Sequence, residues 1–283
     1  MSTDHEREFA YTDADFNRVK TIIYRKAGIH LADSKRQLVY SRLARRVRGL
    51  GIESFGAYLD YLDATPQELQ EFVNALTTNL TAFFREEHHF SVLANFIANH
   101  RHNKPCRIWC TASSTGEEPY SIAMTLVQAY GSYAPPVEII ASDIDSQVLR
   151  SAADGIYPLN RIQSLSQQQK KQFFLRGKGR NSGNAKVVEP LRQLIDFRQI
   201  NLLDKNWPIS GKFDVIFCRN VMIYFDKPTQ LKLLERMVNL LKPDGLYIAG
   251  HSESFSHASH LVSLVGKTTY QLAGASREAM HEF

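Results

Sequence analysis

At 283 residues, 43 % of them hydrophobic and 22 % charged, the chain is long for one ordinary domain and comfortable for two. These fractions sit near globular averages and exclude a wholly disordered, collagen-like or disulfide-scaffold protein. Lys and Arg number 34 against 29 Asp and Glu, a net charge of +5; this favours an acidic partner without choosing between nucleic acid, membrane surface and acidic protein. Cys106, Cys110 and Cys218 are too few and too odd for a disulfide framework, and no paired Cys/His spacing reads as a zinc site. The polar, acid-bearing stretch from Met1 to Glu8 lacks the pattern of a signal peptide, and no apolar run approaches the ~18 residues that span a bilayer. The expectation is a soluble cytoplasmic protein.

Residues 12 to about 90 read as helix. Thr12 or Asp13 caps a first helix with Phe16, Val19, Ile22 and Ile23 at helical spacing, and Gly28 ends it. A second starts near Asp33 or Ser34, carries Val39, Leu43, Val47 and Leu50 on one stripe, and stops at Gly49 and Gly51. A third spans Ser54 to Leu62, and Thr65-Pro66 opens a fourth with proline at its first position. Four short helices form a small all-helical N-terminal domain over 1–90.

From about 104 short β-branched runs alternate with helices. Strands are expected at 107–110, 137–142, 194–200, 213–218 and 245–249, with helices at 119–130, 146–153 and 228–241 between them. A final pair, Leu261 to Val265 and Thr268 to Leu272, is split by Gly266-Lys267, a hairpin signal. The pattern is α/β: a doubly wound, largely parallel sheet covered on both faces, with an antiparallel edge, filling 91–283. The stretch at about 155–192 interrupts it with a polar helix, then Arg176-Gly177-Lys178-Gly179, and reads as an inserted subdomain.

Ligands of open α/β sheets bind beyond the carboxyl ends of the strands. After the first strand comes Thr111 to Tyr120, rich in small residues, with one glycine and the acids Glu117 and Glu118 at a helix entrance. A dinucleotide fingerprint would need three glycines to cradle a pyrophosphate. Here an anion meets two carboxylates, so the loop suits a cationic group; the alternative is that both acids merely complement the helix dipole. Asp143 ends the second strand, where an acid can accept both hydroxyls of a ribose, while Asp145 or Ser146 is the better helix cap. Asn201 and Leu202 follow the third strand and offer an amide for a base edge beside an apolar wall, or simply a turn. Arg219-Asn220-Val221-Met222-Ile223-Tyr224-Phe225 follows the fourth, where many amino-nitrogen methylating enzymes carry Pro-Pro and an aromatic; the prolines are absent. As a set, these strand ends fit S-adenosylmethionine better than a nucleotide phosphate. Upstream, Leu76 to Glu86 is too polar for mid-helix, should end the fourth helix and cap the next, and places Arg85 to hold a carboxylate.

The chain resembles the chemotaxis receptor methyltransferases, the CheR family. The signatures are Leu76 to Glu86, Ser114-Thr115-Gly116-Glu117-Glu118-Pro119-Tyr120-Ser121, Phe217 to Phe225, Leu241-Lys242-Pro243-Asp244-Gly245 and Gly250-His251-Ser252-Glu253, in order. The resemblance implies transfer of a methyl group from S-adenosylmethionine to receptor glutamates, giving glutamyl methyl esters and S-adenosylhomocysteine. It implies a helical domain, a Rossmann-like methyltransferase sheet and a small antiparallel insertion. It also implies that Asn79, Thr81 and Arg85 touch the cofactor's methionine end, Glu117 its ammonium and Asp143 its ribose. Asn201 and Leu202 would sit at the adenine, Arg219 and Asn220 would line the site, and Tyr224 would lie near the sulfonium and the incoming carboxylate. Cys110-Thr111 departs from the family's usual Ser-Ala, by small residues. Because a glutamate is already ionised at neutral pH, with a pKa of ~4.3, no general base is needed, and the catalytic residues Arg85 and Tyr224 are expected to orient the reacting groups.

The basic excess gathers on the second helix, where Lys35, Arg42 and Arg46 recur at helical spacing. They form either a solvated surface or a docking face for the helical cytoplasmic domain of a receptor. Arg176, Gly177 and Gly179 resemble the loop by which some family members grip a receptor's C-terminal peptide, and a strand edge there suits an added strand; the alternative is a flexible hairpin turn. The rivals are a basic nucleic-acid methyltransferase, disfavoured by the absence of aromatic-studded basic patches, and a module that binds cofactor or receptor without turnover. The expected protein is a monomer, with no nucleic-acid partner, no metal and no insertion into the membrane.

Overall fold

The computed structural model describes residues 8–99 and 105–274. Helix α1 (Asp13–Ala27) begins at a capping box in which Thr12 and Asp15 exchange hydrogen bonds, and ends where Gly28 turns left-handed at φ 68°. Helix α2 (Arg36–Gly49) follows a single 3-10 turn at Asp33–Lys35, so its regular part begins later than Asp33 or Ser34. Helices α3 (Phe55–Ala64) and α4 (Glu68–Leu76) complete the bundle. Pro66 is not the first residue of α4: it sits in the turn before it, where the Glu68 N–H reaches the Thr65 carbonyl. Val19, Ile23, Val39, Leu43, Val47, Phe55, Tyr58 and Phe72 interlock as one core.

The bundle ends at Leu76. Helix α5 (His88–Asn99) buries Phe90, Leu93, Phe96 and Ile97 against the sheet domain, so the join lies in 77–87 rather than at residue 90. That segment leaves the helix because its Thr and Asn side chains bond elsewhere: Thr77 to the Asn74 carbonyl and to Asp145, Asn79 to Asp145. It turns through left-handed backbone at Phe84 and Glu86.

In the second domain the chain runs β1 (Cys106–Cys110), α6 (Glu117–Tyr130), β2 (Val137–Asp143) and α7 (Ser146–Asp154). Then come β3 (Ile156–Pro158), α8 (Gln167–Phe173), β4 (Phe174–Arg176), β5 (Asn184–Val187) and α9 (Glu189–Arg192). It closes with β6 (Ile195–Gln199), β7 (Phe213–Cys218), α10 (Lys227–Val238), β8 (Leu241–Ala249), β9 (Val262–Gly266) and β10 (Thr269–Leu272). The main sheet is ordered β6-β2-β1-β7-β8-β10-β9; its first five strands are parallel and the final hairpin antiparallel. Strands β1 and β7 are buried on both faces, with Ile108 and Phe217 in one layer and Trp109 and Ile216 in the other, which explains their unbroken apolar runs. The stretch at 155–192 is an insertion, carrying a three-stranded antiparallel sheet β3-β5-β4.

The strand order reverses between β1 and β7, and their carboxyl ends diverge there into a crevice. The end of α1 closes over it: a side chain at Gly28 would meet Leu203 and Phe225 at 2.9 Å. No helix among the described residues is long and apolar enough to cross a membrane.

Candidate active site

A cavity of about 400 Å³ lies in that crevice, within the usual range for small-molecule sites. Its walls come from the end of α1, the start of α2, the 76–85 segment and the loops after β1, β2, β6 and β7. Among the residues singled out from sequence, Asn79, Thr81, Arg85, Asp143, Asn201, Leu202, Arg219, Asn220 and Tyr224 all line it.

The loop after β1 approaches closely because it carries no bulk. Gly116 has φ 98°, and a side chain there would strike Ala152 and the Tyr157 hydroxyl. Asp143, at the end of β2, is 8 % exposed. It accepts the Ser114 N–H at 2.8 Å and the Asp145 N–H at 2.9 Å. Burial pushes its carboxyl up to about 6 despite these bonds. Asp145 caps α7, taking the Gln147 and Val148 N–H groups, which leaves Asp143 to the cavity.

The two acids of the α6 entrance part company. Glu117 does not line the cavity: its carboxylate is fully buried against Arg161 of the insertion and the Thr115 hydroxyl. Consecutive helical residues point ~100° apart, so only one can face the crevice. That one is Glu118, which pairs with Arg219 and accepts from Cys110 Sγ at 3.2 Å.

Arg219 is buried and donates to Glu118 and to the Arg85 carbonyl. A cluster of Glu86, His88 and His89 has the spacing of a cation site. The Arg219 guanidinium already stands 3.6 Å from Glu86, so positive charge is supplied from within the fold. Burial raises the Glu86 carboxyl, but hydrogen bonds from His251 and the Arg219 charge outweigh it and hold it at about 2. Arg85 Nη1 donates to the Leu80 carbonyl at 2.9 Å, and the side chain lines the cavity.

Asn201 lines the cavity, yet its amide is tied to the fold: Nδ2 donates to the Lys26 carbonyl at 2.8 Å and Oδ1 accepts from the Leu203 N–H. Tyr224 rides a 3-10 turn, Met222–Tyr224, whose start is fixed by one acid. Glu253, 5 % exposed, accepts four backbone N–H groups: Asn220 at 2.9 Å, Val221 at 3.0 Å, Met222 at 2.8 Å and Gly250 at 2.6 Å. Burial raises its carboxyl, and those four donors oppose the rise. Glu253 thereby clamps the loop after β7 to the loop after β8.

Of the basic docking residues expected on α2, only Lys35 stands free at the surface, and it lines the cavity. Arg42 turns inward to the Leu76 and Thr77 carbonyls, and Arg46 grips Glu68 through Nε and Nη2. In the insertion, Arg176 ends the edge strand β4. Gly177 is obligatory, because a side chain there would lie 2.1 Å from the Asn181 carbonyl, and Gly179 is left-handed at φ 56°.

Residues 79–271 match the family described as CheR methyltransferase, SAM binding domain, and residues 14–77 match CheR methyltransferase, all-alpha domain. With a doubly wound sheet, an acid ending β2 and no phosphate cradle, the fold and site define an S-adenosylmethionine-dependent methyltransferase. The chain is similar to chemotaxis protein methyltransferase 2 of Pseudomonas aeruginosa, with 61 % identity over 268 residues, covering 94 % of this chain and 96 % of that one. It is 52 % identical to the chemotaxis protein methyltransferase of Salmonella typhimurium (94 % of this chain, 93 % of that one) and 50 % to that of Escherichia coli (93 % and 92 %). The chain belongs to the CheR methyltransferase family.

Proposed function

We propose that this chain methylates glutamate side chains of chemoreceptors, forming glutamyl methyl esters. The observation that carries the chemistry is the state of the cavity's two carboxylates. Glu118 is paired with Arg219 and Asp143 is held by two backbone donors, so both are fixed at the floor as binding groups. A glutamate acceptor, ionised at neutral pH with a pKa of ~4.3, requires no base. Bound S-adenosylmethionine supplies an electrophilic methyl group on a sulfonium.

The chain's own residues hold and aim. Asp143 receives the ribose hydroxyls, and Leu202 with the Asn201 backbone flanks the adenine. Glu118 takes the ammonium side that the sequence had assigned to its neighbour, beside Asn79, Thr81 and Arg85. Arg85 and Tyr224 orient the incoming carboxylate, and Asn220 fixes the wall behind it. Alignment of this kind supplies ~7–11 kcal/mol in favourable intramolecular reactions. Lys35 stands where an acidic receptor helix approaches. The edge of β4, with Arg176 and the Gly177–Gly179 turn, suits a receptor C-terminal peptide added as a further strand.

The test is incubation with methyl-labelled cofactor and receptor membranes. Base-labile label released as methanol is the expected result. Base-stable label, or label on RNA in a parallel reaction, would refute the assignment.

A further inference from the structure

The mouth of the cavity differs in kind from its floor. Leu80 is 77 % exposed, Ile223 49 % and Leu38 37 %, and all three line the cavity. Single apolar residues scattered on a surface are ordinary; three large aliphatics around one opening form a collar. At the floor Glu118, Asp143 and Arg219 are buried, whereas at the mouth Lys35 is exposed and Arg85 half-exposed.

Helix α2 carries the collar outward. Leu38, Ser41 and Arg45 recur at one-turn intervals, and all three are exposed. Arg36, Arg42, Arg46 and Arg48 on the same helix are each bonded to a partner within the fold. The stripe therefore presents an apolar group, Leu38, at the mouth and a cation, Arg45, two turns away, while Lys35, in the 3-10 turn before α2, adds a cation at the mouth.

We infer that this collar seats the glutamate-bearing helix of the substrate: Leu38, Leu80 and Ile223 receive apolar side chains flanking the target glutamate, and Lys35 and Arg45 meet acids beyond them. The inference rests on the functional reading above. A glutamate side chain has only two methylenes, so its helix must lie directly on the rim for the carboxylate to enter. Residues three and four positions away share the glutamate's face and are pressed against the collar. A charged group there would lose its water against Leu or Ile without gaining a partner. Acids farther along lie opposite Lys35 and Arg45, which steer the encounter and fix its register. The collar thus makes the choice among a receptor's glutamates, whereas the floor makes the choice of cofactor.

Initial rates of transfer are measured against receptor concentration for the wild-type chain, Leu38→Ser with Leu80→Ser, and Leu80→Met, with calorimetry of S-adenosylhomocysteine on each. The double serine variant should raise KM for receptor ~10-fold, the scale of one lost apolar contact, with kcat and product affinity unchanged. Leu80→Met should keep the wild-type KM. Lys35→Glu with Arg45→Glu should raise KM and flatten its salt dependence. An unchanged KM in the double serine variant, or a parallel loss of product affinity, would overturn the collar while leaving the functional reading intact. A wild-type chain that places no base-labile label on receptors would overturn both.

Discussion

Two of the buried glutamates that face arginines, Glu68 in the helical bundle and Glu118 in the sheet domain, do different things. In the helical bundle Glu68 is gripped by Nε and Nη2 of Arg46 and by the Tyr58 hydroxyl, away from the cavity. At the sheet's rim Glu118 meets Arg219, and both residues border the cavity. The same chemistry holds a fold in the first place and builds a binding wall in the second. What distinguishes them is topology, because the crossing point of the strands leaves one side of the second pair open.

The sharpest way to break this comparison is to remove each arginine. Arg219→Ala leaves Glu118 and Glu86 without their common cation. It should lower the unfolding free energy by about 3–5 kcal/mol, the scale for breaking a buried pair, and abolish detectable S-adenosylhomocysteine binding; denaturant titration and calorimetry read both. Arg46→Ala exposes a pair that already reaches solvent, with Arg46 33 % exposed. It should lower the unfolding free energy by about 2 kcal/mol and leave product affinity unaltered. Loss of product affinity in Arg46→Ala would erase the distinction. Glu118→Gln keeps the shape but removes a charge, and should weaken product affinity by about tenfold or more, whereas Glu68→Gln should not.

The smallest expected effect is a titration. Asp143 has its carboxyl raised by burial to about 6. A group that holds its proton more tightly folded than unfolded makes the fold less stable as pH climbs from the ordinary carboxylate range through that value. Ribose binding uses the ionised form, so product affinity should fall as pH drops through about 6, by ~10-fold at one unit below it. Asp143→Asn should bind weakly and without this pH dependence in calorimetry between pH 5 and 8.

What was legible in the sequence was local. Thr12, Gly28 and Asp145 cap their helices as their positions predict, because a cap's partners lie within four residues. The period of two or 3.6 placed strands and helices within a few residues, and the strand ends placed most of the cavity's lining. Periodicity reports a face but not a partner. Arg42 and Arg46 do share the stripe predicted for them, yet their contacts, Leu76, Thr77 and Glu68, belong to another helix and its exit. Glu117 and Glu118 are indistinguishable as a dipeptide; only the insertion's Arg161 decides which is drawn away from the crevice. Glu253 gave no chemical signal, since three of its four amide partners lie 31 to 33 residues distant.

The small antiparallel sheet is fastened to the floor at two points: Tyr157 donates to the Thr115 carbonyl at 2.7 Å, and Arg161 neutralises Glu117. It is therefore no detachable cassette. Excising it would strand a buried anion beneath the cofactor and loosen the very turn that Gly116 makes possible. Point changes at Arg176, exposed at the end of the edge strand β4, are the way to interrogate the proposed peptide capture without disturbing the reaction.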